Sequence, residues 1–144
     1  MRPNRRTFLA TASGLALGTR LAASSVQGAN SRIRIGIIGT GGRARGLMNQ
    51  LKPLAGVELS AVCDVYEPRL LQAADIAGTN ALRVADYRRI LDNREIDAVL
   101  IGAPDHWHKT MTLDAVAAGK DIYVEKPISH TIEEGAEMVR VVEA

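Results

Sequence analysis

From residue 32 onward, short apolar runs alternate with longer segments in which apolar residues recur every three or four positions. The short runs have the pattern of strands buried on both faces of a parallel sheet, and the longer ones that of helices covering it. Residues 33–38 (Ile-Arg-Ile-Gly-Ile-Ile) and 57–64 (Val-Glu-Leu-Ser-Ala-Val-Cys-Asp) are the first two predicted strands. Leu70, Leu71, Ala74 and Ala77 stand at helical spacing and predict a helix over 67–77. A short strand at 83–84, a short helix at 87–91, a fourth strand at 96–101, a helix at 107–118 closed by Gly119 and a fifth strand at 122–125 follow. Thr131-Ile-Glu-Glu134 has the spacing of a capping box and opens a last helix that runs to the chain end. Strands joined by helical crossovers predict an α/β fold with a doubly wound parallel sheet of about five strands.

The first turn carries chemistry. Gly36-Ile-Ile-Gly39-Thr40-Gly41-Gly42-Arg43-Ala44 follows a predicted strand and opens a helix, the setting in which a Rossmann-type fold holds a dinucleotide. Gly39 would permit the tight turn, Gly41 would let the backbone approach a pyrophosphate, and Ala44 is small enough for the helix to pack closely on the sheet. Free N–H groups at the helix start favour phosphate, and Arg43 and Arg45 add positive charge nearby, although Arg45 reads more readily as a solvated helix residue. Asp64 ends the second strand about twenty residues beyond the glycines, where a ribose-binding acid is expected. A 2′-phosphate there would meet like charge, so NAD is expected in preference to NADP, with Arg69 the residue most able to reverse that preference. The alternative for Asp64 is a cap on the following helix.

The length of 144 residues and the 47% hydrophobic share suit one compact domain after an N-terminal segment of different character. Asn4-Arg5-Arg6-Thr7-Phe8-Leu9, a modest apolar stretch to Leu17 and Ala/Ser-rich residues up to Ala29 follow the order of a twin-arginine signal, so residues 1–29 are expected to direct export to the periplasm. A disordered basic N-terminus is the alternative. Of the 18 basic residues, Arg2, Arg5, Arg6 and Arg20 lie in this segment, which holds no acid. The remainder therefore carries 14 basic against 16 acidic residues, a net of −2. Such a surface offers no nucleic-acid stripe or polybasic membrane patch, and no run approaches the roughly 18 apolar residues of a stable membrane anchor. Cys63, the only cysteine, is expected to be a small core residue.

At the far end of the pattern Asp121-Ile-Tyr-Val124 is followed by Glu125-Lys126-Pro127. Together with Gly-Ile-Ile-Gly-Thr-Gly-Gly-Arg, Cys63-Asp-Val-Tyr-Glu-Pro-Arg69 and Ala103-Pro-Asp-His-Trp-His108, this order resembles the Gfo/Idh/MocA oxidoreductases, the glucose-fructose oxidoreductase and inositol dehydrogenase group, over residues 32–144. The resemblance implies an NAD(P)-binding domain whose relatives transfer hydride to or from sugars, inositols and related polyols. It implies cofactor-binding roles for Gly39, Thr40, Gly41, Gly42, Arg43, Ala44, Asp64, Pro104, Asp105, His108, Glu125, Lys126 and Pro127. Lys126 is the expected catalytic residue. Its ammonium would donate to the substrate hydroxyl as hydride leaves, provided burial brings its pKa toward the working range.

His106 and His108 flank Trp107, and a His-x-His pair invites a metal reading. No third ligand stands at suitable spacing, so no metal site is expected. Trp107 would stack on the cofactor or cover the seam between helix and sheet. Family members continue into a C-terminal α+β substrate domain, and the chain is expected to lack it and to be a truncated piece. Three functions follow as expectations. The chain is the nucleotide-binding half of an exported oxidoreductase, possible as a homo-oligomer, or a non-catalytic dinucleotide-binding module, or part of an NAD-dependent glycosidase of the same family.

Overall fold

The computed structural model describes residues 32–143, so the predicted signal at 1–29 lies outside the described residues. Five strands, β1 (Ile33–Ile38), β2 (Val57–Cys63), β3 (Leu82–Val84), β4 (Ala98–Ile101) and β5 (Asp121–Val124), form one parallel sheet in the order β3-β2-β1-β4-β5. The crossovers contain α1 (Gly42–Leu51), α2 (Glu67–Ala77), α3 (Arg88–Leu91) and α4 (His108–Ala117), and α5 (Ile132–Val142) follows β5. The doubly wound α/β architecture predicted from the periodicity is present.

Side chains alternate across each strand, and the two faces build separate cores. On one face Ile37, Val62 and Leu100 pack with Met48 of α1 and Ala73 of α2. On the other, Ile38, Val99 and Ile101 pack with Ile90 of α3 and Ala115 of α4. Adjacent residues such as Ile37 and Ile38, or Leu100 and Ile101, thus serve opposite layers, which is why their strands read as continuous apolar runs. Burial along β1 is graded. Ile33 is 53% exposed and Ile37 and Ile38 are sealed, and β2 and β4 likewise are most deeply buried toward their C-terminal ends.

Local signals act where they were read, with three adjustments. Gly119 ends α4 at φ +67, and the N–H groups of Gly119 and Lys120 bond to the carbonyls of Val116 and Ala115 at 2.9 and 3.0 Å, satisfying the last turn. Thr131 Oγ1 accepts from Glu134 N at 3.3 Å, as a capping box requires, but the Glu134 carboxylate reaches one residue further back to His130 N at 3.1 Å. The fourth strand begins at Ala98 instead of residue 96 because the Asp97 carboxylate accepts from Arg34 N at 2.7 Å, where a strand would offer a backbone carbonyl. The helix predicted over 107–118 opens with a tighter 3₁₀ turn, Asp105–Trp107, before regular α-helix starts at His108.

Candidate dinucleotide-binding site

The strand order reverses between β1 and β4, the position at which an open α/β sheet leaves a crevice beyond its carboxyl ends. Three backbone bonds carry the ladder past those ends: Gly39 N to Cys63 O at 2.8 Å, Gly102 N to Ile38 O at 2.8 Å, and Glu125 N to Ile101 O at 2.9 Å. They bring the glycine turn, Asp64, the Ala103-Pro104 loop and Glu125-Lys126-Pro127 to one edge of the sheet. A cleft of about 660 Å³ opens there, lined among others by Gly39, Gly41, Asp64, Pro104 and Trp107. That volume lies within the usual range for a bound small molecule or cofactor.

The glycines divide by function. Gly39 has φ +80, and a Cβ on it would lie 2.5 Å from Ala103 N, so the turn is pressed against the loop after β4. Gly102 leaves equally little space, since a Cβ there would stand 2.8 Å from the Cβ of Ala44. The small residue of the fingerprint therefore lets α1 pack on the end of β4. Gly41 and Gly42 differ, because a Cβ on either meets nothing within 4 Å. No side chain caps α1, whose N-cap is Gly41, so its first-turn N–H groups are available to an anion. An open backbone surface, free donors and the positive end of a ten-residue helix fit a pyrophosphate.

Asp64 is half-buried at the lip of this cleft. Its Oδ2 accepts from both Thr40 N at 2.8 Å and Thr40 Oγ1 at 3.0 Å, and its Oδ1 accepts from Tyr66 N at 2.9 Å. Asp64 does not cap α2, whose N-cap is Tyr66 with no side-chain bond. Thr40 is fully buried and spends its side-chain hydroxyl on Asp64. It orients the carboxylate that faces the cleft.

Opposite, the β4–α4 and β5–α5 loops are held by one imidazole. His108 is 1% exposed, with Nδ1 2.8 Å from Pro127 O and Nε2 2.8 Å from Ala103 O. It orders the two loops and presents no free ring nitrogen to a ligand. His106 is exposed, so the two histidines diverge, and among the described residues no group of three or more His, Cys, Asp or Glu side chains is arranged to hold a metal ion. A second tie joins the same loops: Asp105 Oδ2 lies 3.3 Å from His130 Nδ1, and Oδ1 accepts from His106 N at 2.8 Å. The contact with His130 holds the Asp105 carboxyl below its ordinary pKa against the opposing effect of burial, and the His106 N–H assists.

Glu125 is 6% exposed, and both of its carboxylate oxygens accept from Arg43 Nε, at 3.1 and 3.2 Å, while Oε1 also accepts from Tyr123 OH at 3.2 Å. Burial pushes its pKa up, but the hydrogen bond and charge of Arg43, together with Tyr123, prevail and keep it below the usual glutamate value. Glu125 therefore grips the glycine turn. Lys126 follows it through a cis peptide to Pro127 and is exposed. The burial expected of Lys126 is not supplied by the described residues.

Sequence reasoning missed three groups lining the cleft. Tyr87 donates to Asp114 Oδ2 at 2.5 Å, and burial, this bond and the Asp114 charge push its pKa up to about 12. Arg69 lies over the Tyr66 ring at 5.7 Å, and Arg88 over the Tyr87 ring at 4.8 Å. The charge of Arg69 is legible in the sequence, but neither the tyrosines nor Arg88 carries a spacing signal, because β2 and β3 deliver them to the cleft from separate loops. Cys63 is buried as expected. Burial first, then the charges of Asp64 and Asp86, push its thiol up to about 12.

Residues 33–144 match the family model described as "Oxidoreductase family, NAD-binding Rossmann fold". A glycosyl hydrolase family 109 protein of Solibacter usitatus (strain Ellin6076) is 32% identical over 98% of this chain and 36% of its own length. A glycosyl hydrolase family 109 protein 1 of Shewanella sp. (strain MR-4) is 34% identical over 77% of this chain and 26% of its own length. The chain thus spans about a third or less of these relatives. Among solved structures, the WlbA dehydrogenase of Chromobactrium violaceum, in complex with NADH and UDP-GlcNAcA, superposes with a TM-score of 0.72 at 28% identity, over 79% of this chain and 33% of that one. The myo-inositol 2-dehydrogenase of Lactobacillus plantarum gives a TM-score of 0.69 at 31% identity, over 78% and 33% of the two chains.

Proposed function

This chain belongs to the Gfo/Idh/MocA oxidoreductase family, and from that premise we propose that it is the nucleotide-binding part of an exported enzyme that transfers hydride between a nicotinamide and a sugar, inositol or related polyol. One observation carries the reading. The open glycine turn, Asp64 and the Glu125-Lys126-Pro127 segment stand at one level of the sheet, at the strand-order reversal. The sugar nucleotide bound by the WlbA dehydrogenase and the inositol named for the Lactobacillus enzyme support the substrate class.

When bound, the nicotinamide supplies the hydride acceptor or donor. The chain's own residues bind, orient and polarise. Gly41 and the first turn of α1 would receive the pyrophosphate, and Asp64, preset by Thr40, would accept from the adenosine ribose hydroxyls. That carboxylate repels a 2′-phosphate, which favours NAD over NADP. His108 fixes the loops bearing Pro104 and Lys126. Lys126 would donate to the substrate oxygen and stabilise alkoxide character as hydride departs. Its exposure here means that this role requires substrate or further protein to enclose the ammonium.

Calorimetric titration with NAD and NADP, followed by absorbance of reduced nicotinamide in the presence of sugars and inositols, tests the reading. Tighter binding of NADP would reject the ribose role of Asp64, and absence of binding to either would reject the nucleotide site. The names of the family 109 relatives favour a second reading, glycoside cleavage that depends on NAD. Release of nitrophenol from nitrophenyl glycosides only when NAD is present would select it.

A further inference from the structure

Arg43 is held in an unusual way for a residue at the rim of a phosphate-binding turn. Its side chain is 63% exposed, yet its Nε is gripped by both oxygens of a carboxylate that is only 7% exposed, on a strand end 82 residues away in the sequence. Glu125 is itself steadied by Tyr123 OH. Among the described residues no hydrogen bond engages the two terminal nitrogens of Arg43. A guanidinium anchored by Nε keeps a planar pair of donors for a second anion, and anchoring removes rotamer entropy that a free arginine would lose on binding. The neighbouring backbone at Gly41 and Gly42 is open, and α1 directs its N-terminus there.

We propose that Glu125 is a positioning residue for the dinucleotide: by holding Arg43 through Nε beside the glycine turn, it aims the terminal guanidinium nitrogens at the pyrophosphate. The inference rests on the nucleotide-binding reading above. It assigns Glu125 a function without direct cofactor contact, and it links phosphate occupancy to the strand end that carries Lys126.

Simple electrostatics predicts the opposite sign, which makes the idea testable. A carboxylate near an anion site repels the anion, so its removal should tighten phosphate binding. Loss of positioning should weaken it. The test measures affinities of the 144-residue chain for ADP-ribose, which has the pyrophosphate, and for adenosine, which has none, in the wild type and in Glu125→Gln, Arg43→Lys and the double variant. We expect ADP-ribose affinity to fall at least tenfold in each single variant, adenosine affinity to stay within twofold, and the double variant to be no weaker than Arg43→Lys alone. Unchanged or tighter ADP-ribose binding by Glu125→Gln that retains the wild-type melting transition overturns the inference, as do fully additive losses. If burial of the substituted residue prevents Glu125→Gln from folding, Arg43→Lys decides at an exposed position. A lysine keeps the charge but has no Nε fork, so wild-type affinity in that variant overturns the proposal. A wild-type chain that binds neither NAD nor ADP-ribose defeats the nucleotide reading itself, whereas wild-type binding with unaffected variants defeats only the role of Glu125.

Discussion

Gly39 and Gly41 are two residues apart in one motif, and the structure predicts that substituting them fails in different ways. Gly39 has φ +80, and a Cβ on it would stand 2.5 Å from Ala103 N and 2.6 Å from Ala103 Cα, both backbone atoms that cannot swing aside. Placing alanine in the left-handed region costs about 1–2 kcal/mol, and forcing a methyl into a packed contact about 1–3 kcal/mol. Gly39→Ala should therefore lose about 2–5 kcal/mol, and with each kcal/mol worth about 4–8 °C in a domain of this class, its melting temperature should fall by at least about 8 °C. Gly41 has φ −60 and ψ 174, which any residue adopts, and no atom lies within 4 Å of its Cβ position. Gly41→Val should change stability by less than about 1 kcal/mol. Its branched side chain would, however, occupy the approach of the pyrophosphate. Each charge-assisted N–H bond lost is worth about 1.5–3 kcal/mol, so NAD affinity should fall by roughly ten- to a hundredfold or more. Thermal melts without nucleotide and calorimetric titration with NAD separate the effects. A Gly41→Val variant that binds NAD like the wild type would refute the phosphate cradle, and a Gly39→Ala variant that melts normally would refute the close contact with Ala103.

The remaining predictions concern other parts of the chain. Asp64→Ala should destabilise the domain even without nucleotide, by about 1–3 kcal/mol for each donor stranded, because the buried Thr40 N–H and hydroxyl both lose their acceptor; Asp64→Asn keeps an oxygen and should recover most of the loss in a urea titration. Cys63, raised from about 9 to about 12, should resist alkylation by iodoacetamide at pH 8 until the chain is unfolded. The same shift has a definite sign: the neutral thiol is favoured in the fold, so its stabilising contribution is complete below about pH 9 and is lost as pH rises toward about 12. A Cys63→Ala variant should show a flatter decline in that window. For the proposed signal, residues 1–35 fused to a reporter that folds before transport should export it, and replacement of Arg5-Arg6 by Lys-Lys should stop export; unchanged export would assign the segment to another route.

Much of this molecule is written locally. Apolar runs mark strands because a sheet covered on both faces packs both sides of its central strands, Gly119 marks a helix end because its φ of +67 is open to glycine, and Thr131 marks a start because its hydroxyl reaches the N–H three residues on. The glycine turn and Asp64 were legible for the same reason, since a strand, a turn and a helix in succession already place them at one end of the sheet. What the residues of the site do for one another was not legible. Thr40 presets Asp64 across 24 residues, His108 bridges carbonyls at Ala103 and Pro127, and Arg43 meets Glu125 across 82 residues. Thr40 meets Asp64 because β2 lies beside β1, His108 spans Ala103 and Pro127 because β5 lies beside β4, and Arg43 meets Glu125 because β4 and β5 follow β1 in the sheet, and no periodicity within a strand states its neighbours. Hydrogen-bond periods and backbone angles are properties of a few consecutive residues, whereas a buried polar side chain takes its partner from whatever the sheet order brings within about 3 Å of it. The sequence alone therefore determined the elements and the motif, and the tertiary structure decided which polar groups are spent on one another and which, like the terminal nitrogens of Arg43, make no hydrogen bond among the described residues.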